Sequence, residues 1–151
     1  MVGPSRIETP AASAGWVIDA SVTMPWFFPD EATPFTERLL DEMGAQPLWA
    51  PALWVLECTN VLQIAQRRRR IEATRRAEIA SELAALAVRI EHESPDFVVL
   101  DRLAATHVLS AYDAVYLELA LRRSLTLVSL GERLIAAAHG LGHPVISALP
   151  M

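Results

Sequence analysis

Five short apolar runs alternate with helix-length segments along this chain, and that alternation limits the folds open to it. The runs are Trp16-Val17-Ile18, Leu48-Trp49 and the stretches 88–92, 125–129 and 144–147. Short apolar strands separated by helices indicate an α/β fold around a mostly parallel sheet. Between them the helix signals are regular. Thr33 is a candidate N-cap for a helix over 34–43, with Gly44 as its stop. Pro51 suits the first turn of a helix that runs to about Arg67. A further helix spans 72–87. Ser94-Pro95-Asp96 reads as a helix start, with Ser94 as N-cap, Pro95 at the first position and an acid in the first turn. Ser110 opens a helix to Arg123, and a last helix covers 132–139, with Gly140 and Gly142 in the turn after it.

With 151 residues the chain is expected to form a single domain over 15–151. Residues 1–14, rich in Ala, Ser and Pro, read as a flexible N-terminal extension. A hydrophobic content of 52% excludes general disorder. No apolar run approaches the ~18 residues of a membrane span, and the N-terminus has no apolar core of a secretory signal. A cytoplasmic protein is the expectation. The single cysteine, Cys58, excludes an internal disulfide and a Cys-clustered zinc site; it sits in an apolar helix and reads as a core thiol rather than a nucleophile. All 13 basic residues are Arg. Lysine Schiff-base chemistry and a phosphate-binding P-loop are therefore excluded.

Three carboxylates stand in apolar surroundings: Asp19 in WVIDAS, Glu57 in LWVLECTNVL and Asp113 in LSAYDAVYLELA. An acid bordered by core residues is costly to ionise unless a positive group shares its site. Three of them suggest one divalent ion, since a hard cation takes oxygen ligands and keeps waters that leave room for a phosphate. Ligands of α/β sheets collect beyond the carboxyl ends of the strands; Asp19 falls at one such end and Gly131 just past another. Each acid also has a purely structural reading. Asp19 with Ser21 can form a turn, Glu57 can lie on a solvated helix face, and Asp113 can bond back to Ser110 in a capping-box pattern.

The combination VIDASV, ECTNVL, LSAYDAVYLELALRR, LTLVSL and RLIAAA resembles the PIN-domain ribonucleases, and is particularly similar to VapC-type toxins of bacterial toxin–antitoxin pairs. The likeness runs from about Trp16 to the C-terminus. It implies an α/β/α sandwich with a central, mostly parallel sheet. It also implies a Mg²⁺- or Mn²⁺-dependent endoribonuclease, usually a homodimer, held in check by a small antitoxin. By the same resemblance Asp19 and Asp113 are metal ligands, Glu57 is the second acid and completes the catalytic set, and Asn60 is its usual polar companion. Family members commonly carry a fourth acid after the strand, where this chain has Ser129-Leu130-Gly131. A loss of that charge weakens cation affinity and tells against a second metal. The resemblance therefore implies either a nuclease of reduced activity or a degenerate domain that binds RNA or an antitoxin without cleaving efficiently. A haloacid-type phosphatase would need a second Asp where Ser21 stands, and a receiver domain would need a Lys near the site.

Other features carry two readings each. Arg67–Arg70 with Arg75 and Arg76 can contact RNA phosphates or an acidic antitoxin segment, or form a solvated helix junction. Trp26-Phe27-Phe28 can stack a base or pack in the core. Ile79, Leu83, Leu86 and Ala87 are candidates for a dimer or antitoxin groove. The four His residues show no zinc-binding spacing.

Overall fold

The computed structural model describes residues 15–148; the expected extension at 1–14 lies outside the described residues. Five strands form one parallel sheet: β1 (Trp16–Ile18), β2 (Leu48–Pro51), β3 (Val88–Glu91), β4 (Thr126–Val128) and β5 (Val145–Ile146), in the order β3-β2-β1-β4-β5. Trp16, Val17 and Ile18 are all buried, which is why β1 reads as a continuous apolar run rather than an alternating one.

Seven helices connect the strands: α1 (Ala20–Thr23), α2 (Pro34–Glu42), α3 (Leu53–Arg67), α4 (Ala73–Ala85), α5 (Phe97–His107), α6 (Ala111–Arg123) and α7 (Glu132–Gly140). Strand order fixes their sides. The steps β1 to β2 to β3 move one way across the sheet, whereas β3 to β4 to β5 move back the other way. Right-handed crossovers then put α1–α4 on one face and α5–α7 on the opposite face. This is the expected α/β/α sandwich. The direction of winding reverses between β1 and β4, and the crevice beyond their carboxyl ends is the place where such sheets bind ligands.

Local chemistry explains most helix boundaries. Thr33 caps α2 in a reciprocal box with Thr36. Ser110 caps α6 by accepting the Asp113 N–H at 3.1 Å. Two expected starts move. Asp96, not Ser94, caps α5: its carboxylate accepts the N–H groups of Val98 and Val99, at 2.9 and 3.0 Å, satisfying two orphan donors that a Ser two residues earlier cannot reach. Pro51 ends β2 opposite Glu91 instead of opening α3, which begins at Leu53. Val108 and Ser124 close α5 and α6 in the left-handed conformation.

The core joins the sheet to both helix layers and includes Trp16, Leu39, Trp54, Ile79, Leu117, Leu127 and Leu134. Ile79 and Leu83 are thus core residues of α4 rather than free surface. Leu83 also borders a cavity of about 250 Å³ under α3, α4 and β3, together with Leu86, Val88 and Ile90. Among the described residues no helix is long and apolar enough to cross a membrane.

Candidate active site

Asp19 directly follows β1 and occupies the N-cap position of α1. Its carboxylate is nearly enclosed, with 7% of the residue exposed. Both oxygens are held. Oδ1 accepts from the Ser21 hydroxyl and from the Val22 N–H, and Oδ2 accepts from the Ser129 hydroxyl. The serines are themselves oriented by the loop after β4. Leu130 N–H donates to Ser21 Oγ at 2.9 Å, and Gly131 N–H donates to Ser129 Oγ at 3.0 Å. Two successive backbone donors therefore reach Asp19 through two hydroxyls. A carboxylate offers about four lone-pair sites, so three bonds leave roughly one open.

Glu57 comes from the second turn of α3 on the other side of the crevice. Its Oε1 accepts the Tyr116 hydroxyl at 2.6 Å. Tyr116 is buried in α6, so this bond joins helices from the two opposite layers across the end of the sheet. The α3 side is fixed further by Trp54, whose indole N–H donates to Thr23 Oγ1 at 3.1 Å, while Thr23 donates to the Asp19 carbonyl at 2.7 Å.

The electrostatics are those of an acid pair without a counterion. Burial pushes the Asp19 carboxyl above its ordinary range; the bonds from Ser129, Ser21 and Val22 oppose this, and the Glu57 charge adds to it. Burial and then the bond to Glu57 raise the Tyr116 hydroxyl well above the usual tyrosine range, so it stays a donor. Cys58 is buried beside this pair; desolvation, then the charges of Glu57 and Asp19, push its thiol up to about 12, which rules out a thiolate nucleophile at neutral pH. Among the described residues neither Asp19 nor Glu57 takes part in an ion pair.

The other expected site residues stand as follows. Asp113 is the third residue of α6, half-buried, one helical turn before Tyr116 and so on the same helix face. Its N–H meets Ser110, but its carboxylate makes no return bond, so the capping pattern is only half formed. Asn60 is exposed on α3. Glu132, the acid next to Gly131, is exposed on the first turn of α7. Among the described residues no three His, Cys, Asp or Glu side chains converge closely enough to hold a metal ion. The donor set is nonetheless all oxygen, carries excess negative charge and has an open lone-pair site on Asp19. That fits a hydrated hard cation, which needs only one or two direct carboxylates.

Gly131 does not owe its presence to lack of space. Its φ is −74°, and a Cβ there would meet Ser129 Oγ at 3.4 Å and Leu134 Cβ at 3.8 Å, both ordinary contacts. The aromatic trio is mostly structural: Phe28 is buried, Trp26 and Phe27 pack against the core, and the Trp26 N–H donates to the Thr36 carbonyl. Tyr116 is the residue that sequence reasoning passed over. Its signal was its position three residues after Asp113, the one hydroxyl in the Ala-Val-Tyr-Leu run.

The model of the PIN domain family matches residues 16–140. This chain belongs to the PIN domain family. Three solved structures share the fold at low identity. PAE2754 from Pyrobaculum aerophilum superposes with a TM-score of 0.60 at 21% identity, covering 91% of each chain. FitAcB from Neisseria gonorrhoeae gives 0.65 at 15%, covering 87% of this chain and 96% of that one. FitAB, solved bound to an IR36 DNA fragment, gives 0.66 at 13%, covering 90% and 98%. No curated protein matches the PIN-family chain.

Proposed function

We propose that this PIN-family protein is a divalent-metal-dependent endoribonuclease, the VapC-type toxin of a toxin–antitoxin pair. The observation that carries the reading is the Asp19–Glu57 pair: two acids at the topological switch point, electrostatically coupled, with hydroxyl donors around them and no protein cation among the described residues. A Mg²⁺ or Mn²⁺ ion bound in this crevice would supply charge for the phosphate and a more acidic water. Asp19 and Asp113 would hold the ion, and Glu57 would bind it or orient the attacking water. Ser21 and Ser129 fix the direction of the Asp19 carboxylate. Tyr116 fixes Glu57 by donating one hydrogen bond and keeps it from turning toward solvent. The products carry 5′-phosphate and 3′-hydroxyl ends. The protein works in the cytoplasm as a homodimer, and an antitoxin chain is its protein partner; the FitAB assembly bound to DNA supports a partnered state for the fold.

Cleavage of a mixed RNA by purified protein tests this. The expected result is cleavage that requires Mg²⁺ or Mn²⁺, stops with chelator, and is lost in folded Asp19→Asn and Asp113→Asn variants. Variants that cut as fast as wild type would end the proposal.

A second reading is favoured by one specific feature. With Gly131 in place of the fourth acid, and no three acids converging among the described residues, the domain can bind RNA or an antitoxin without efficient cleavage. Gly131→Asp separates the two, because a Cβ at this position meets only ordinary contacts, with Ser129 Oγ and Leu134 Cβ. A sharp rise in cleavage marks a weakened nuclease; no change favours the binding role.

A further inference from the structure

The turn between α3 and α4 presents three adjacent guanidinium groups that no described residue neutralises in an ion pair. Arg67, Arg68 and Arg69 are all exposed, and none forms an ion pair among the described residues. Their neighbours behave differently. Arg70 is bonded to Asp30 at 2.9 Å and Glu31 at 3.2 Å and lies 4.8 Å above the Phe28 ring. Arg75 is matched by Glu82 and Glu78, and Arg76 bonds the Gln66 side chain. The turn is thus pinned on both sides while its middle stays free. Arg69 holds the left-handed conformation at φ 58°, which Gly or Asn adopts more readily than Arg. Arg67 uses only its Nε, on the Gln63 carbonyl, leaving the outer nitrogens of its fork available.

The turn is also in line with the acid pair. From Glu57, helical spacing runs through Asn60 and Ile64 to Arg67 and Arg68 along one face of α3. The ten-residue step from Glu57 to Arg67 corresponds to a rise of about 15 Å. Asn60, Ile64 and Arg67 are exposed on that path. We infer that Arg67, Arg68 and Arg69 form a second contact for the RNA backbone, gripping phosphates about 15 Å from the cutting site. Guanidinium forks match phosphate geometry, and backbone binding needs charge rather than an apolar anchor. A protein partner would need such an anchor at the centre of its contact. The exposed apolar side chains on this face are Leu56 and Ile64. Leu56 lies at the Glu57 end, about 16 Å of helix rise from Arg67, which leaves Ile64 as the one beside the turn, and it supplies little of an anchor. The local surplus also matters because the whole chain is acidic, with a net charge of −5, so RNA must be met by a local patch.

This inference rests on RNA being the substrate, and its test is binding without cleavage. Fluorescein-labelled single-stranded RNA of mixed sequence is titrated with full-length protein in chelator, over a series of monovalent salt concentrations, by anisotropy. The variant is Arg67→Gln, Arg68→Gln and Arg69→Asn together, Asn being suited to the left-handed turn. The control replaces all three by Lys. Wild type should bind with a salt slope that falls by about 2 in the neutral variant, near 0.7 per lost phosphate contact for a single strand. The Lys control should keep the slope, and thermal midpoints should match throughout. An unchanged slope and affinity in the neutral variant overturns the inference and leaves the nuclease proposal standing. So does a variant that loses binding to a poly-glutamate peptide while keeping RNA, which would make the turn a protein contact. Failure of wild type to bind RNA also overturns it, and metal-dependent cleavage then decides the nuclease proposal separately.

Discussion

Two sets of buried or half-buried acids lie toward the carboxyl ends of this sheet, and they are met in opposite ways. Glu91, at the end of β3, and Glu118, on α6, are each met by arginine. Arg122 bonds both Glu118 oxygens, at 2.7 and 3.2 Å, and reaches Glu91 at 3.4 Å. Arg123 donates to Glu91 and lies 4.3 Å over the Trp49 ring. Asp19 and Glu57 receive hydroxyl and amide donors only. Glu91 and Asp19 also shift in opposite directions. The bond from Arg123, with the Glu93 N–H, holds Glu91 below its ordinary range, whereas burial holds Asp19 above its own. The lesson is that buried charge alone does not mark a functional site. Glu91 and Glu118 are matched within the protein and tie β3 to α6; Asp19 and Glu57 have no such cation among the described residues, and the proposed function supplies one from outside.

The largest effect expected from breaking this contrast is Asp19→Asn. Cleavage should fall by more than the ~100-fold typical of losing an outer-shell partner, as timed assays on labelled RNA will register. The same change should stabilise the metal-free protein near neutral pH. Because the folded Asp19 pKa lies above the unfolded 3.8, the fold binds the proton more tightly. This group's contribution to stability therefore declines as pH rises between those two values, and the cost persists above them. Asn removes that cost, so its benefit in chelator should shrink as pH falls into the carboxylate range. Glu91 predicts the reverse sign. Its folded pKa lies below the unfolded 4.5, so it stabilises above the unfolded value and that stability is lost as pH falls through the folded one. Thermal melts of Asp19→Asn and Glu91→Gln across acidic to neutral pH should diverge in slope from wild type in opposite directions; parallel profiles would remove the contrast.

Next in size is Arg122→Ala. It leaves Glu118, only 5% exposed, without its fork. Breaking a fully buried pair costs about 3–5 kcal/mol, and the partial exposure of Arg122 reduces this to about 2 kcal/mol, readable in urea unfolding. RNA cleavage per folded molecule should be unchanged, since this network does not touch Asp19 or Glu57.

Tyr116→Phe sharpens the contrast on the other side. It keeps the ring in the core and removes the donor to Glu57. A loss of about 1.5 kcal/mol in stability is expected, with cleavage reduced on the order of 10-fold through kcat while RNA binding in chelator holds. Cleavage equal to wild type would make the bond a strut between α3 and α6 only. The smallest effect is the stability of Gly131→Asp. The residue caps α7, and Gly and Asp differ at that position by a few tenths of a kcal/mol. A larger gain would mean that the new carboxylate caps the helix instead of facing Ser129.

Much of the scaffold is written locally. The strands at Trp16–Ile18 and Thr126–Val128, the Thr33 and Ser110 caps and the long α3 all follow from apolar runs, N-cap residues and spacing. The misplaced starts of α3 and α5 arise where Pro fits two roles. Pro51 satisfies the end of β2 as readily as a helix start, and Pro95 precedes a stronger cap at Asp96. The acids themselves were visible because charge in an apolar run is conspicuous. Their company was not. The Tyr116–Glu57 bond spans 59 residues and the Ser129–Asp19 bond spans 110. Nothing local to either partner announces the other; only the reversal of winding between β1 and β4 brings them together.

Calorimetric titration of the metal-free protein with Mn²⁺ tests the central claim most directly. The account predicts saturable binding of one ion to wild type, lost in Asp19→Asn and retained in Arg122→Ala. Absence of binding to wild type, or binding that Asp19→Asn leaves intact, would contradict the claim that the acids Asp19 and Glu57 await a cation.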